Sequence, residues 1–424
     1  MNVAEIVSLT ANLIVIVIPW LLIPLAFTVW LRYRRLKYVR YQWDARLLEL
    51  HLPSEITRSP RAIEILLANF WQRNSVGGLD QVYFDGRVRF QMSLEIASIE
   101  GQIRFFVHCP EKLVDLVKES LYSQYPGIEI DEVEDYLPQV DELLLDKICY
   151  GFYWRKKKPA PWPIATYKTY EHDKNPDEEQ KIDPLSVLLE YLGGMSYGES
   201  ASYQFIIRAD TKGDWRSGDA LPFKEQEDVH DKVAATIKEL KESATVEVPR
   251  GLNDQGGEQK YSVTNYDPGT PELIKTFREL DDQDTFEMYV RGLYVAEPAA
   301  FKGYKIANLG AVIKQFSYSG ASAIGTSFET GSSDEEDARA RVLGPIAKKL
   351  NERKGFKRKR LFVRAYKRRS AFYPPHTGVA SRALWEVFSE EVATLFHLPG
   401  SVASTPALKR VDSIKSQPPS NLPF

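Results

Sequence analysis

Residues 88–110 read VRFQMSLEIASIEGQIRFFVHCP, and the alternation inside this stretch decides the fold. Val88, Phe90, Met92, Leu94 and Ile96 fall on every second position, and so do Ile103, Phe105 and Val107. A period of two places each set on one face of an extended strand. Gly101 separates the two runs and marks a turn, which predicts a hairpin. Upstream, Arg46–Leu52 alternates as a further strand, and Ser59-Pro60 opens a helix with Ser as N-cap and Pro at its first position. Ile63, Leu66, Leu67 and Phe70 then follow helical spacing. Downstream, Pro110 starts a second helix carrying Leu113, Leu116, Val117 and Leu121, Pro126-Gly127 ends it, and Ile128 and Ile130 begin a last strand. The order β-α-β-β-α-β is that of a ferredoxin-like unit over residues 45–136.

A second, decorated unit of the same kind is expected over 164–370, after a charged and Pro-rich linker at 137–163 that holds Arg155–Lys158 and PAPWP. Ile164–Tyr170 reads as a strand, Pro184–Leu192 as a helix closed by Gly193-Gly194, and Ala201–Ala209 as a strand. A polar insertion at about 211–269 contains a charged helix, Pro222–Ser243, and a Gly/Asn/Gln-rich loop, 251–260. Thr270-Pro271-Glu272 opens another helix by capping chemistry. Phe286–Val295 reads as a strand, Ala299–Phe316 as a helix, and 360–367 as the last strand. Thr326–Asp337 is an acidic loop, Ala383–Phe396 a helix within a C-terminal region 371–400, and 401–424 an extended tail.

The N-terminal stretch 11–30, ANLIVIVIPWLLIPLAFTVW, has twenty positions without a charge. As a helix it would rise ~30 Å, the hydrocarbon thickness of a bilayer. Arg32, Arg34, Arg35, Lys37, Arg40 and Arg46 follow it, whereas residues 1–10 carry no Lys or Arg. A cleaved signal would need its basic residues on the other side and a small-residue cleavage site. A buried core helix is the remaining alternative. The expected fold class is therefore α+β, with a transmembrane helix at 11–31 followed by the two ferredoxin-like units. Leu13, Ile16, Trp20, Leu25 and Trp30 anchor it in membrane lipid, and residues 32–44 form a basic juxtamembrane segment. By the positive-inside rule the N-terminus lies outside the inner membrane and the bulk of the chain is cytoplasmic.

With 43% hydrophobic and 27% charged residues over 424 positions, the chain can bury real cores, and its net charge of −3 hides strong local asymmetry. Two cysteines without a CxxC pairing argue against a disulfide scaffold or a zinc site. The six histidines show no HxxxH or HExxH spacing. No GxxxxGK[ST] occurs: Gly320–Ser327 lacks the lysine, and Gly193–Gly198 follows a helix rather than a strand. There is no GxSxG elbow, kinase set or HxE…PCxxC pattern. These absences lead us to expect no catalytic residue, no cofactor and no metal.

The segment Lys348–Arg369 carries twelve basic residues against one acidic residue, Glu352. Candidate binding residues are Lys354, Lys357, Arg358, Lys359, Arg360, Arg364, Lys367, Arg368 and Arg369, interleaved with aromatics such as Phe362 and Tyr366. Three readings stand open for it. Leu361, Val363 and Ala365 alternate as in a strand with one solvated face. Arginines and aromatics together suit a nucleic-acid backbone and its bases. A basic cluster also suits anionic lipid or an acidic partner.

Several segments together resemble a bacterial family of membrane-attached ferredoxin-like regions that precede conjugative, type IV secretion-type ATPases. They are Ser93–Val107 with the following CPEKL, Tyr122–Pro126, Gly198-Glu199 before YQFIIRA, Phe362–Pro375, Glu391–Pro399 and Pro418–Pro423. The resemblance implies a non-catalytic membrane scaffold or adaptor of a DNA-transfer system, docked to a separate P-loop ATPase, since this chain carries no nucleotide-binding motif. A nucleic-acid-binding module using 348–369 is the alternative, and DNA and a second copy of the chain are further expected partners.

Overall fold

The computed structural model describes residues 3–53, 56, 58–72, 77–170, 183–211, 228–252, 258–264, 267, 269–317, 322–328, 353–373, 383–400 and 406–411. At its centre, strands β2 (Met92–Ile99) and β3 (Gln102–Pro110) form an antiparallel hairpin. Its two turn residues, Glu100 (φ 53°) and Gly101 (φ 85°), are both left-handed, as a two-residue hairpin turn of matching twist requires. A Cβ at Gly101 would also lie 2.7 Å from the Met195 carbonyl oxygen, so both conformation and space call for glycine. β1 (Ala45–Pro53) pairs with β3 on one side and with β4 (Glu129–Val133) on the other, giving the order β4-β1-β3-β2. Helices α2 (Arg61–Gln72) and α4 (Val114–Gln124) cover one face. Ala62, Ile63, Leu66, Leu67 and Phe70 of α2 are all buried there.

The second half repeats this order. β5 (Ile148–Lys156), β6 (Glu199–Ala209), β9 (Thr285–Ala296) and β10 (Ile324–Phe328) run β10-β5-β9-β6, with α6 (Ser186–Gly193) and α9 (Tyr304–Val312) on the same face as α2 and α4. Between β6 and β9 come α7 (Val229–Ser243), the two-stranded β7 (Thr245–Leu252) and β8 (Glu258–Thr264), and α8 (Thr270–Asp281).

Four sequence expectations are corrected. First, the halves are not two separate units. β2 pairs antiparallel with β6 from Met92↔Ile207 to Ile99↔Ser200, so both halves share one ten-stranded sheet. Nine of its strands are antiparallel to their neighbours, and β12 (Arg410–Val411) joins β1 in parallel. Each of β2 and β6 would otherwise be an edge strand with a row of unmet N–H and C=O groups. Fusing them removes both edges, and it explains why β2 is buried from Met92 to Ser98.

Second, the first strand of the later half is β5, inside the expected linker, whereas 164–170 forms no strand. Lys156 made that stretch look solvated, but its ammonium is buried 2.9 Å from Glu391 Oε1. Third, the fourth strand is β10, and 353–367 is a helix, α10. Phe362, Val363, Ala365 and Tyr366 are its buried residues, a helical spacing that the Leu361/Val363/Ala365 alternation concealed. The expected helix at 383–396 likewise begins as strand β11 (Leu384–Phe388), paired to β9, and only then becomes α11 (Ser389–Leu395). Of the expected tail, Ala407 accepts a hydrogen bond from the Ile103 amide at 3.0 Å.

Fourth, the transmembrane helix is withdrawn, and with it the single-pass inner-membrane location and its orientation. No helix among the described residues is long and apolar enough to cross a membrane. α1 (Val3–Gln42) is one continuous helix with Pro19 and Pro24 inside it. The side chains of Leu13 and Ile16 lie outside the described set, Trp20 and Leu25 are exposed, and Trp30 packs edge-on to Phe84 at 6.1 Å. Residues 32–44 form no separate segment. Leu31 packs with Val82 and Tyr83 of α3 (Leu79–Tyr83), and Arg34 Nε donates to the Phe84 carbonyl at 2.7 Å. Gly86 (φ 72°) allows that approach, since a Cβ there would sit 2.6 Å from the Arg34 backbone.

The main core lies between the sheet and α2, α4, α6, α9 and α11. On the opposite face, Tyr153, Ile206, Tyr289 and Leu293 meet α5 (Val140–Leu145) and α10. That second face carries the candidate site.

Candidate functional site

α10 is fixed to the sheet by an apolar underside and a polar end. Phe362 sits edge-on to Tyr153 with centroids 5.2 Å apart, directly over Gly151. The Tyr366 hydroxyl donates to the Ser202 carbonyl at 3.0 Å. At the C-terminus, Arg369 is left-handed (φ 47°), and the amides of Arg369 and Ser370 donate to the carbonyls of Tyr366 (3.1 Å) and Ala365 (2.9 Å). This is a Schellman end, with arginine at the position glycine usually holds. The left-handed backbone costs an arginine roughly 1–2 kcal/mol.

The Arg369 side chain offsets that cost. Its guanidinium meets Glu95 (Nε–Oε1 3.0 Å, Nη2–Oε2 3.2 Å) and Asp135 (Nη1–Oδ2 2.7 Å, Nη2–Oδ1 3.0 Å). Burial alone would raise both carboxyls, but the Arg369 charge and its hydrogen bonds outweigh burial and hold both below the usual range. A second buried arginine, Arg291 of β9, is held by Gln204 Oε1 at 2.8 Å and donates to the carbonyls of Ala365 (3.0 Å) and Ser370 (3.1 Å). A cation thereby satisfies the last carbonyls of the helix.

The nine basic candidates therefore divide. Arg369 is consumed by the sheet, and Lys367 donates to the Leu137 carbonyl at 2.8 Å and faces Asp135 at 3.4 Å. Arg358, Lys359 and Arg364 are half-buried. Lys354, Lys357, Arg360 and Arg368 are exposed, and their spacing of three, three and eight residues keeps them on the side of α10 away from the sheet. Lys348 and Lys349 lie outside the described residues.

At the end of this stripe lies a cavity of about 250 Å³, lined by Arg40, Trp43, Gln91, His108, Arg368 and Tyr373 among others. Only Arg368 of these was a sequence candidate; the rest come from α1, β3 and connecting loops, and no motif spacing joins them. Trp43 Nε1 and Gln91 Oε1 are buried without a hydrogen-bond partner. Such an orphan group costs roughly 1–3 kcal/mol. Gln91 is oriented by its other end, where Nε2 donates to the Arg369 carbonyl at 2.5 Å. Burial, reinforced by the Arg369 charge, pushes the His108 imidazole down to about 4, so it is neutral at pH 7.

Several buried ionisable groups elsewhere are tied into the packing. Glu287 joins β9 to Arg89 (3.2 Å) and Arg208. His397 Nε2 lies 3.2 Å from Asp183 Oδ1, with its Nδ1 3.0 Å from the Ala393 carbonyl. Burial pushes the Cys109 thiol up to about 12 and the Cys149 thiol up to about 11, far from the thiolate a nucleophile needs. Among the described residues no group of three or more His, Cys, Asp or Glu side chains is placed to hold a metal ion.

In comparisons with known proteins, no family model and no curated protein matches this chain, so the secretion and conjugation setting that the resemblance implied is not supported.

Proposed function

We propose that this chain is a non-catalytic docking protein that holds a nucleic-acid backbone against the exposed face of α10. The observation that carries the proposal is the division of labour within the basic segment. Arg369 and Lys367 spend their charge on fixing the helix, so that Lys354, Lys357, Arg360 and Arg368 project from a rigid support. Lys354 to Arg368 spans fourteen residues, or ~21 Å of helix, which faces about six phosphates of one strand. A prealigned row of cations binds a polyanion at a smaller entropic cost than a flexible basic tail does.

Binding of single- and double-stranded oligonucleotides, measured between about 50 and 200 mM salt, tests the reading. The quadruple variant K354E/K357E/R360E/R368E should weaken binding and reduce the log–log salt slope by about 3. An unchanged affinity and slope would remove the proposal.

A further inference from the structure

We infer that the cavity between the end of α1 and the end of α10 is a binding site for a small organic anion that carries its own hydrogen-bond donor, such as a hydroxylated phosphate monoester or carboxylate. Three observations converge on it. Its lining includes two arginines, Arg40 and Arg368, that have no carboxylate within 4 Å among the described residues; the Arg40 guanidinium lies over the exposed Tyr41 ring at 5.5 Å. Two guanidiniums bordering one cavity match the oxygens of a phosphate or carboxylate. The same walls hold one orphan donor, Trp43 Nε1, and one orphan acceptor, Gln91 Oε1. Both residues are more than nine-tenths buried, at 5% and 7% exposure. A simple anion answers the indole N–H but leaves the Gln91 oxygen unmet, so the ligand must also present a hydroxyl or amine.

Size narrows the class. A dry cavity of about 150 Å³ accepts benzene, so about 250 Å³ admits a ligand of roughly ten non-hydrogen atoms. The neutral His108 imidazole adds a ring N–H without adding charge, and the Tyr373 ring, edge-on to Trp43 at 5.7 Å, gives an apolar wall for the carbon skeleton. Asp44 at the rim does not compete for the cations, because it already faces Arg46 at 3.2 Å.

This site shares Arg368 with the α10 stripe, and the experiment separates the two through Arg40 and Gln91, which line the cavity and are not part of the stripe. Calorimetric titration of the full chain with glycerol 3-phosphate, citrate and inorganic phosphate, with thermal midpoints followed in parallel, should give saturable binding and a raised midpoint for at least one organic anion. Arg40→Gln and Arg368→Gln should each weaken it about tenfold, as loss of a charge-assisted hydrogen bond does. Gln91→Leu should weaken glycerol 3-phosphate more than inorganic phosphate. Lys275→Gln, on the exposed face of α8, should change nothing. Absence of saturation below roughly 1 mM for every probe would mean that water alone fills the cavity and would overturn the inference. So would binding that survives Arg40→Gln and Gln91→Leu unchanged. Both arginines are at the surface, so these variants keep the fold, and unaltered circular dichroism confirms it.

Discussion

Arg369 Nε lies 3.0 Å from Glu95 Oε1, a bond between residues 274 positions apart that ties the end of α10 to the middle of β2. β2 is also the strand through which the two halves of the sheet are joined, so one ion pair fixes the basic helix to the seam of the fold. Both side chains are almost fully buried, at 3% and 0% exposure, and Asp135 closes the cluster from the other side.

Removing one partner of that pair strands a buried charge. Arg369→Ala should cost about 3–5 kcal/mol, read as a lowered urea midpoint. Arg368→Ala, one residue earlier but exposed, should fall within about 0.5 kcal/mol of the wild type. Equal costs for the two would show that the Glu95–Arg369–Asp135 cluster is not what holds α10.

Acid should weaken the protein in two stages. The folded His108 titrates near 4 and its unfolded counterpart near 6.5, so the folded state binds fewer protons between those values. Stability therefore falls as pH drops through that window. Glu95 and Asp135 act below it, because their carboxyls are depressed in the fold. Their contribution is present above the ordinary carboxylate range and is lost as pH falls through the lower folded values. Denaturation midpoints at pH 7 and pH 5 measure the first stage, and His108→Asn should flatten it. A wild-type midpoint equal at both pH values would contradict the assignment.

Local periodicity carried the reading a certain distance. The α2 positions Ile63, Leu66, Leu67 and Phe70 and the hairpin turn at Gly101 were legible because their signals lie within a dozen residues. The pairing of β2 with β6 was not, because alternation tells which face of a strand is buried and says nothing about its edge partner. Lys156 misled for a related reason: it is a charge in a run that reads as a solvated linker, and it is neutralised by Glu391, more than 200 positions away. In the basic segment the residue types alone do not distinguish exposed Arg360 from consumed Arg369; only the helix separates them. Trp43 and Gln91, at the cavity, left no sequence signal, since an orphan polar atom is defined by what does not surround it.

Both cysteines should resist modification in the native state. Cys109 and Cys149 are buried, with their thiols pushed up to about 12 and about 11, so the thiolate is scarce at pH 8. A disulfide reagent should label neither within the time that labels both in denaturant. Fast labelling of Cys149 in particular would mean that α5, whose Leu143 carbonyl accepts its S–H at 2.6 Å, opens readily.

The seat of α10 can be tested at a single methyl group. A Cβ at Gly151 would fall 2.0 Å from Phe362 Cε1, with two further ring carbons within 2.6 Å, so Gly151→Ala cannot be accommodated without moving the ring. Overpacking of this kind costs typically 1–3 kcal/mol, whereas Phe362→Ala empties the same site and costs about 3–5 kcal/mol. The double variant should be less destabilised than the sum of the two, because the new methyl fills space that the ring has left. If α10 also presents the basic stripe, Gly151→Ala should weaken oligonucleotide binding together with stability, although it lies on the sheet and carries no charge. Additive stabilities would place Phe362 away from Gly151 in solution. Loss of stability with full oligonucleotide affinity would separate the stripe from the seating of the helix.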